Sequence, residues 1–199
     1  YVPVVVVVVR VGPASVPAAA RRHCARGEHA RDVHVVVDDR PYMAHYEEDG
    51  ITVIDAEDLG AGTHTIVAFP AHPFHLSIKG ESSFDTCTFH VKYSDGRHAL
   101  KPDSPALIYS RPKGTYTGIG AKNIMLDFYL LNTTLADDGH RVRVLLDGEE
   151  ADVLDEWEPI ILLREPKPRT YEVTLELIDE EGELVPGAFN PTSRVITVE

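Results

Sequence analysis

The chain has 199 residues, 43% of them hydrophobic and 26% charged, enough for one large domain or two modules of about 100 residues each. A formal net charge of −13 argues against nucleic acid, which needs a basic face, and against docking on anionic lipid headgroups. No run reaches the roughly 20 apolar residues of a membrane helix.

The chain opens at Tyr1 without an initiator Met, so an upstream signal peptide or lipoprotein leader is expected. Residues 4–9 are six consecutive valines, low in complexity and suited to a strand buried on both faces. An insertion over 12–32, rich in Ala, Arg, Pro and Gly, carries Cys24. Residues 33–37 then read as a strand, 38–42 as a turn, 51–54 as a short strand and 63–69 as another. Residues 86–93 close the first half. His64 and His90 fall at strand positions expected to face solvent.

Residues 94–120 are loop-rich, with a short strand over 107–109 and a chain boundary between 101 and 102. Beyond it, strands are expected over 124–131, 141–146, 157–163, 171–178 and 194–198. The alternation of Tyr171, Val173, Leu175 and Leu177 with Glu172, Thr174 and Glu176 marks one buried and one wet face. The acidic turn 179–183 has hairpin chemistry. Pro and Gly, 14 of each, punctuate these short apolar runs.

The two halves repeat. Residues 33–39 read VHVVVDD and 142–148 read VRVLLDG; Asp38 lies 25 positions before Thr63 and Asp147 lies 23 before Thr170. Both Ile66 to Phe89 and Val173 to Ile196 span 23 positions. A fixed period means one structural unit used in series, so residues 1–101 and 102–199 are expected to be two antiparallel β-sandwich modules.

Nine of the ten histidines fall in the first hundred residues. His72 and His75 flank a Pro-Phe pair, and His34 shares a strand face with Asp32. Asp32, His34, His72 and His75 therefore form the candidate site for Cu or Zn, since imidazole and carboxylate suit those ions. Cys87 and His90 lack the following Met of a type-1 copper site. The acidic turns lack the spacing of a calcium loop, and 114–122 lacks the Lys-Ser/Thr and the helix of a phosphate loop; its glycines answer to positive φ instead. Asp155 and Glu156 beside Trp157 are the candidates for a carbohydrate-binding or hydrolytic module. Cys24 and Cys87 are one disulfide in an exported protein and two thiols in a cytosolic one. Arg111, Lys113 and Tyr116, cationic and aromatic, are candidate protein-contact residues in the linker.

Four stretches resemble a group of secreted, uncharacterised Bacteroidetes-like bacterial proteins: HVVVDDRPY from His34, YSRPKG from Tyr109, LDFYLLN from Leu126 and LIDEEGELVPG from Leu177. The resemblance implies export to the periplasm or beyond and an all-β fold of two tandem Ig-like or fibronectin-III-like sandwich modules. The combined expectation is a non-enzymatic binding or scaffolding protein without a cofactor. It would serve as a soluble accessory subunit of a membrane-anchored complex, respiratory or photosynthetic. The alternatives are a periplasmic Cu/Zn module and the carbohydrate-active one.

Overall fold

The computed structural model describes residues 6–11, 32–45, 50–72, 74–80 and 84–199. The chain divides into two units, Tyr1–Pro102 and Asp103–Glu199, and strands dominate both.

In the second unit, β7 (Ala106–Arg111), β9 (Asn123–Leu131) and β12 (Ile160–Arg164) form one sheet in the order β12-β9-β7. The other sheet runs β11-β10-β13-β14-β8, from β8 (Gly114–Tyr116), β10 (Arg141–Leu146), β11 (Glu149–Leu154), β13 (Arg169–Ile178) and β14 (Thr192–Val198). The core lies between them: Leu107, Ile124, Leu126, Phe128 and Leu130 from the first meet Val142, Val144, Val173, Leu175 and Ile196 from the second. Each such side chain contributes about 1.5–3 kcal/mol when fully buried. Strand β13 follows its alternation, with Tyr171, Val173, Leu175 and Leu177 buried and Glu172 exposed.

The first unit repeats this plan. Its four-stranded sheet runs β3-β2-β5-β6, built from β2 (Asp32–Val37), β3 (Met43–His45), β5 (Gly62–Ala71) and β6 (Asp85–Val91). Strand β1 (Val6–Val11) pairs antiparallel with β4 (Gly50–Asp55) in a second sheet, and a helical turn α1 (Ala56–Leu59) follows. Val35, Val37, Ile54 and Ile66 form the core cluster here. Cross-strand register is the same in both units: Ile66 pairs Cys87 and Val173 pairs Arg194, each pair 21 positions apart.

The units differ on the sheet's other face. On β10 the residues facing away from the core, Arg143 and Leu145, are half-buried. On β2 the equivalent face is fully buried at Asp32, His34 and Val36, and opposite them Val67, Phe69 and Ala71 of β5 are buried too. Strands β3, β8 and β11 add to the expected set. Strand β11 carries Glu149, Glu150 and Asp152 on exposed positions, the charge expected of a guarded sheet edge and the reason its sequence does not alternate.

Candidate metal centre

Ionisable groups are buried unevenly. Among the described residues, seven of the ten buried polar ones lie in the first unit, including Asp32, His34, Asp38 and His64. Burying a charge is strongly unfavourable unless it is paired or coordinates a metal. That cost concentrates the chemistry in the first unit.

Strand periodicity places Asp32 and His34 side by side on the face opposite Val33, Val35 and Val37. His75 reaches them from a segment folded back on β5. There the His72 N–H donates to the Leu76 carbonyl at 2.8 Å, the His75 N–H donates to the His72 carbonyl at 2.8 Å, and Ser77 bridges Ala71. His75 itself takes a left-handed φ of 61°, which turns its ring back toward β2.

His75 Nδ1 lies 2.9 Å from Asp32 Oδ2, and His34 Nε2 lies 4.0 Å from the same oxygen. One donor atom from each residue falls within 4.8 Å of the other two. Donors on a tetrahedral zinc ion, at bond lengths of about 2.0–2.2 Å, sit about 3.3–3.6 Å apart, so adjustments of about half an ångström bring the Asp32 oxygen and the two imidazole nitrogens to that spacing. The His34 ring is held by a stack on Tyr42 (centroids 3.7 Å apart, 12° between planes) and by the edge of Phe69 at 5.6 Å. Burial pushes the Asp32 carboxyl up from its ordinary range, against the pull of the His75 and His72 imidazoles. A bound cation acts in the same direction as those imidazoles and favours the carboxylate.

His72, the fourth expected ligand, is a correction. Its ring stacks on Phe74, centroids 5.2 Å apart, and the group whose donor atoms converge holds Asp32, His34 and His75 without it. His64 is a second correction: it is 4% exposed rather than solvent-facing, and its Nδ1 lies 2.8 Å from Asp38 Oδ2. His90 is exposed.

The remaining candidates do not gather into a site. Lys113 donates its backbone N–H to Tyr116 Oη at 3.2 Å, and Tyr116 packs on the second unit's core. Burial holds the Lys113 ammonium below its ordinary range, and Arg111 ends β7 opposite Asp127. Cys87 is an exposed free thiol on β6; Cys24 lies outside the described residues. Trp157 donates its indole N–H to the Phe128 carbonyl at 3.1 Å and packs on the core, while Asp155 and Glu156 are exposed. In the loop 114–122, Gly114 and Gly118 take positive φ.

No family model matches the chain, and no curated protein matches it. Among solved structures it is similar to the fibronectin(III)-like modules of Clostridium thermocellum CbhA, at 17% identity over 47% of this chain and 97% of that one, with a TM-score of 0.36. It is also similar to the central fibronectin-III array of RIM-binding protein, at 13% identity over 86% of this chain and 58% of that one, with a TM-score of 0.30. By the order and register of its own sheets, the chain is two β-sandwiches of the Ig-like or fibronectin-III-like kind, antiparallel except for the parallel β14–β8 pair.

Proposed function

We propose that the chain is a non-enzymatic binding protein whose first β-sandwich holds a divalent transition metal on Asp32, His34 and His75. The observation that supports this most is a buried carboxylate with two imidazole nitrogens at 2.9 and 4.0 Å from one of its oxygens, in a sheet whose sister copy places Arg143 at the equivalent position, paired with Glu176. Two nitrogens and one oxygen suit Zn²⁺ or Cu²⁺ better than Ca²⁺ or Mg²⁺. Three protein ligands leave a fourth position for water or a partner's donor. The His75 side chain is 32% exposed, which gives the ion a route in.

The accessory-subunit reading has no comparable geometric support, because Tyr116 packs on its own module's core and accepts the Lys113 backbone N–H. A place outside the cytoplasm remains the proposed setting, resting on the resemblance alone.

The test is elemental analysis of tag-free protein offered Zn²⁺ and then dialysed. The wild type retains zinc, and His75→Ala, at a half-exposed position, loses an equivalent with its far-UV circular dichroism unchanged. Retention of the full amount by His75→Ala overturns the reading.

A further inference from the structure

We infer that Asp38, His64 and His98 form a second divalent-metal site, separate from the Asp32 centre. The two sites lie at opposite ends of β2, six residues or about 20 Å apart along the strand, so they do not share an ion.

The geometry converges on one carboxylate oxygen. His64 Nδ1 lies 2.8 Å and His98 Nδ1 3.4 Å from Asp38 Oδ2, and one donor atom from each of the three residues lies within 4.8 Å of the other two. Donors on a tetrahedral ion sit about 3.3–3.6 Å apart; the His98 separation already has that spacing, and the His64 one opens by about 0.5 Å when an ion replaces the hydrogen bond. Asp38 and His64 are both buried. Asp38 Oδ1 accepts the Thr65 N–H at 2.9 Å, which fixes the carboxylate plane and turns Oδ2 toward the two imidazoles, as outer hydrogen bonds do at metal sites.

The loop that brings His98 is strapped to β5 by the two preceding threonines on one face. Thr65 Oγ1 donates to the His98 carbonyl at 2.6 Å. Thr63 Oγ1 accepts the N–H groups of Asp95 and Gly96 at 3.0 and 2.8 Å, and its own N–H donates to Asp95 Oδ1 at 2.9 Å. Arg97 closes the loop on Asp95.

The second unit supplies an internal comparison. Asp147 has the same φ of 54° as Asp38, and each exchanges two hydrogen bonds with one residue of the neighbouring strand. Asp38 does so with Thr65 at 2.8 and 2.9 Å, and Asp147 with Glu172 at 2.8 and 2.9 Å. There Oδ2 faces a permanent cation, the Arg169 guanidinium at 2.7 Å. In the first unit the same oxygen faces two groups that ligate metals. A carboxylate seat that the second copy fills with a fixed charge is furnished in the first for an exchangeable one.

The experiment is zinc stoichiometry of the full chain by elemental analysis and calorimetry. Wild type binds two equivalents, His75→Ala one, His98→Ala one, and the double variant none. Asp38→Asn retains an acceptor for the Thr65 N–H and weakens the second equivalent by at least about tenfold. In folded wild-type protein, zinc also moves the imidazole ¹⁵N resonances of His64 and His98, a readout that needs no variant. Unmoved resonances, or full zinc retention by both His98→Ala and Asp38→Asn, overturn the second site. Loss of zinc in His75→Ala alone leaves the first site standing without it, and loss in His98→Ala alone does the reverse.

Discussion

At the scale of single residues, Thr65 does the most with the least. Its N–H and carbonyl hold Asp38, and its hydroxyl spans Thr88 Oγ1 at 2.9 Å and the His98 carbonyl at 2.6 Å. Thr65→Val keeps the shape and the backbone bonds but removes the donor to the His98 carbonyl, while the exposed Thr88 hydroxyl turns to water. The expected loss is about 1–3 kcal/mol of stability by urea denaturation, and the variant's second zinc equivalent weakens while its first does not. Equal weakening of both would show that Thr65 acts through the whole sheet. His75 works differently: its position depends on a left-handed backbone turn that Gly tolerates more readily than Ala. His75→Gly therefore removes the imidazole with less backbone strain than His75→Ala, and it separates a loss of zinc from a loss of fold.

At the scale of elements, β2 and β10 show how one plan was put to two uses. Both present valines to the core and are followed by an aspartate, so the repeat and its strands can be read directly from VHVVVDD and VRVLLDG. The shift from 25 to 23 positions between Asp and Thr recurs in the fold, where Asp38 bonds Thr65 across 27 positions and Asp147 bonds Glu172 across 25. The Asp32–His34 pairing was legible because strand periodicity alone puts the two on one face. The Asp38 cluster was not, since its donors come from the end of β2, the start of β5 and a loop, and no local spacing joins them. A repeated aspartate facing arginine in one copy and histidine in the other was the available signal. Strand β11 was hidden because an edge strand carries charge where a core strand alternates. The aspartate corner of the second unit also has a pH consequence. The Arg169 guanidinium, and then the Glu172 N–H, hold the Asp147 carboxyl below its usual range. Stability from a depressed carboxyl is fully present above the unfolded value, near 4, and is lost as pH falls through the folded one. The pair is solvent-exposed, so screening keeps the effect small. Asp147→Asn should flatten the acid limb of the second unit's urea midpoint between about pH 5 and pH 2; an unchanged limb would show that the corner does not couple to folding.

At the scale of the molecule, the division of labour between the copies can be read with one spectroscopic probe. The single tryptophan of the chain, Trp157, is packed against the second unit's core and lies 5.1 Å, edge to face, from Tyr129. Both proposed metal sites belong to the first unit. A ligand that binds only the folded state stabilises it by about 2.7 kcal/mol when its free concentration is a hundred times Kd. Saturating Zn²⁺ should therefore raise the first unit's thermal transition, followed by far-UV circular dichroism, and leave the tryptophan-fluorescence transition where it was. His75→Ala combined with His98→Ala should abolish that shift. Movement of both transitions together in the wild type would mean that the two sandwiches unfold as one cooperative unit. The separation of transitions, rather than the size of the shift, thus decides whether the repeat is a pair of independent folding units with metal chemistry confined to one.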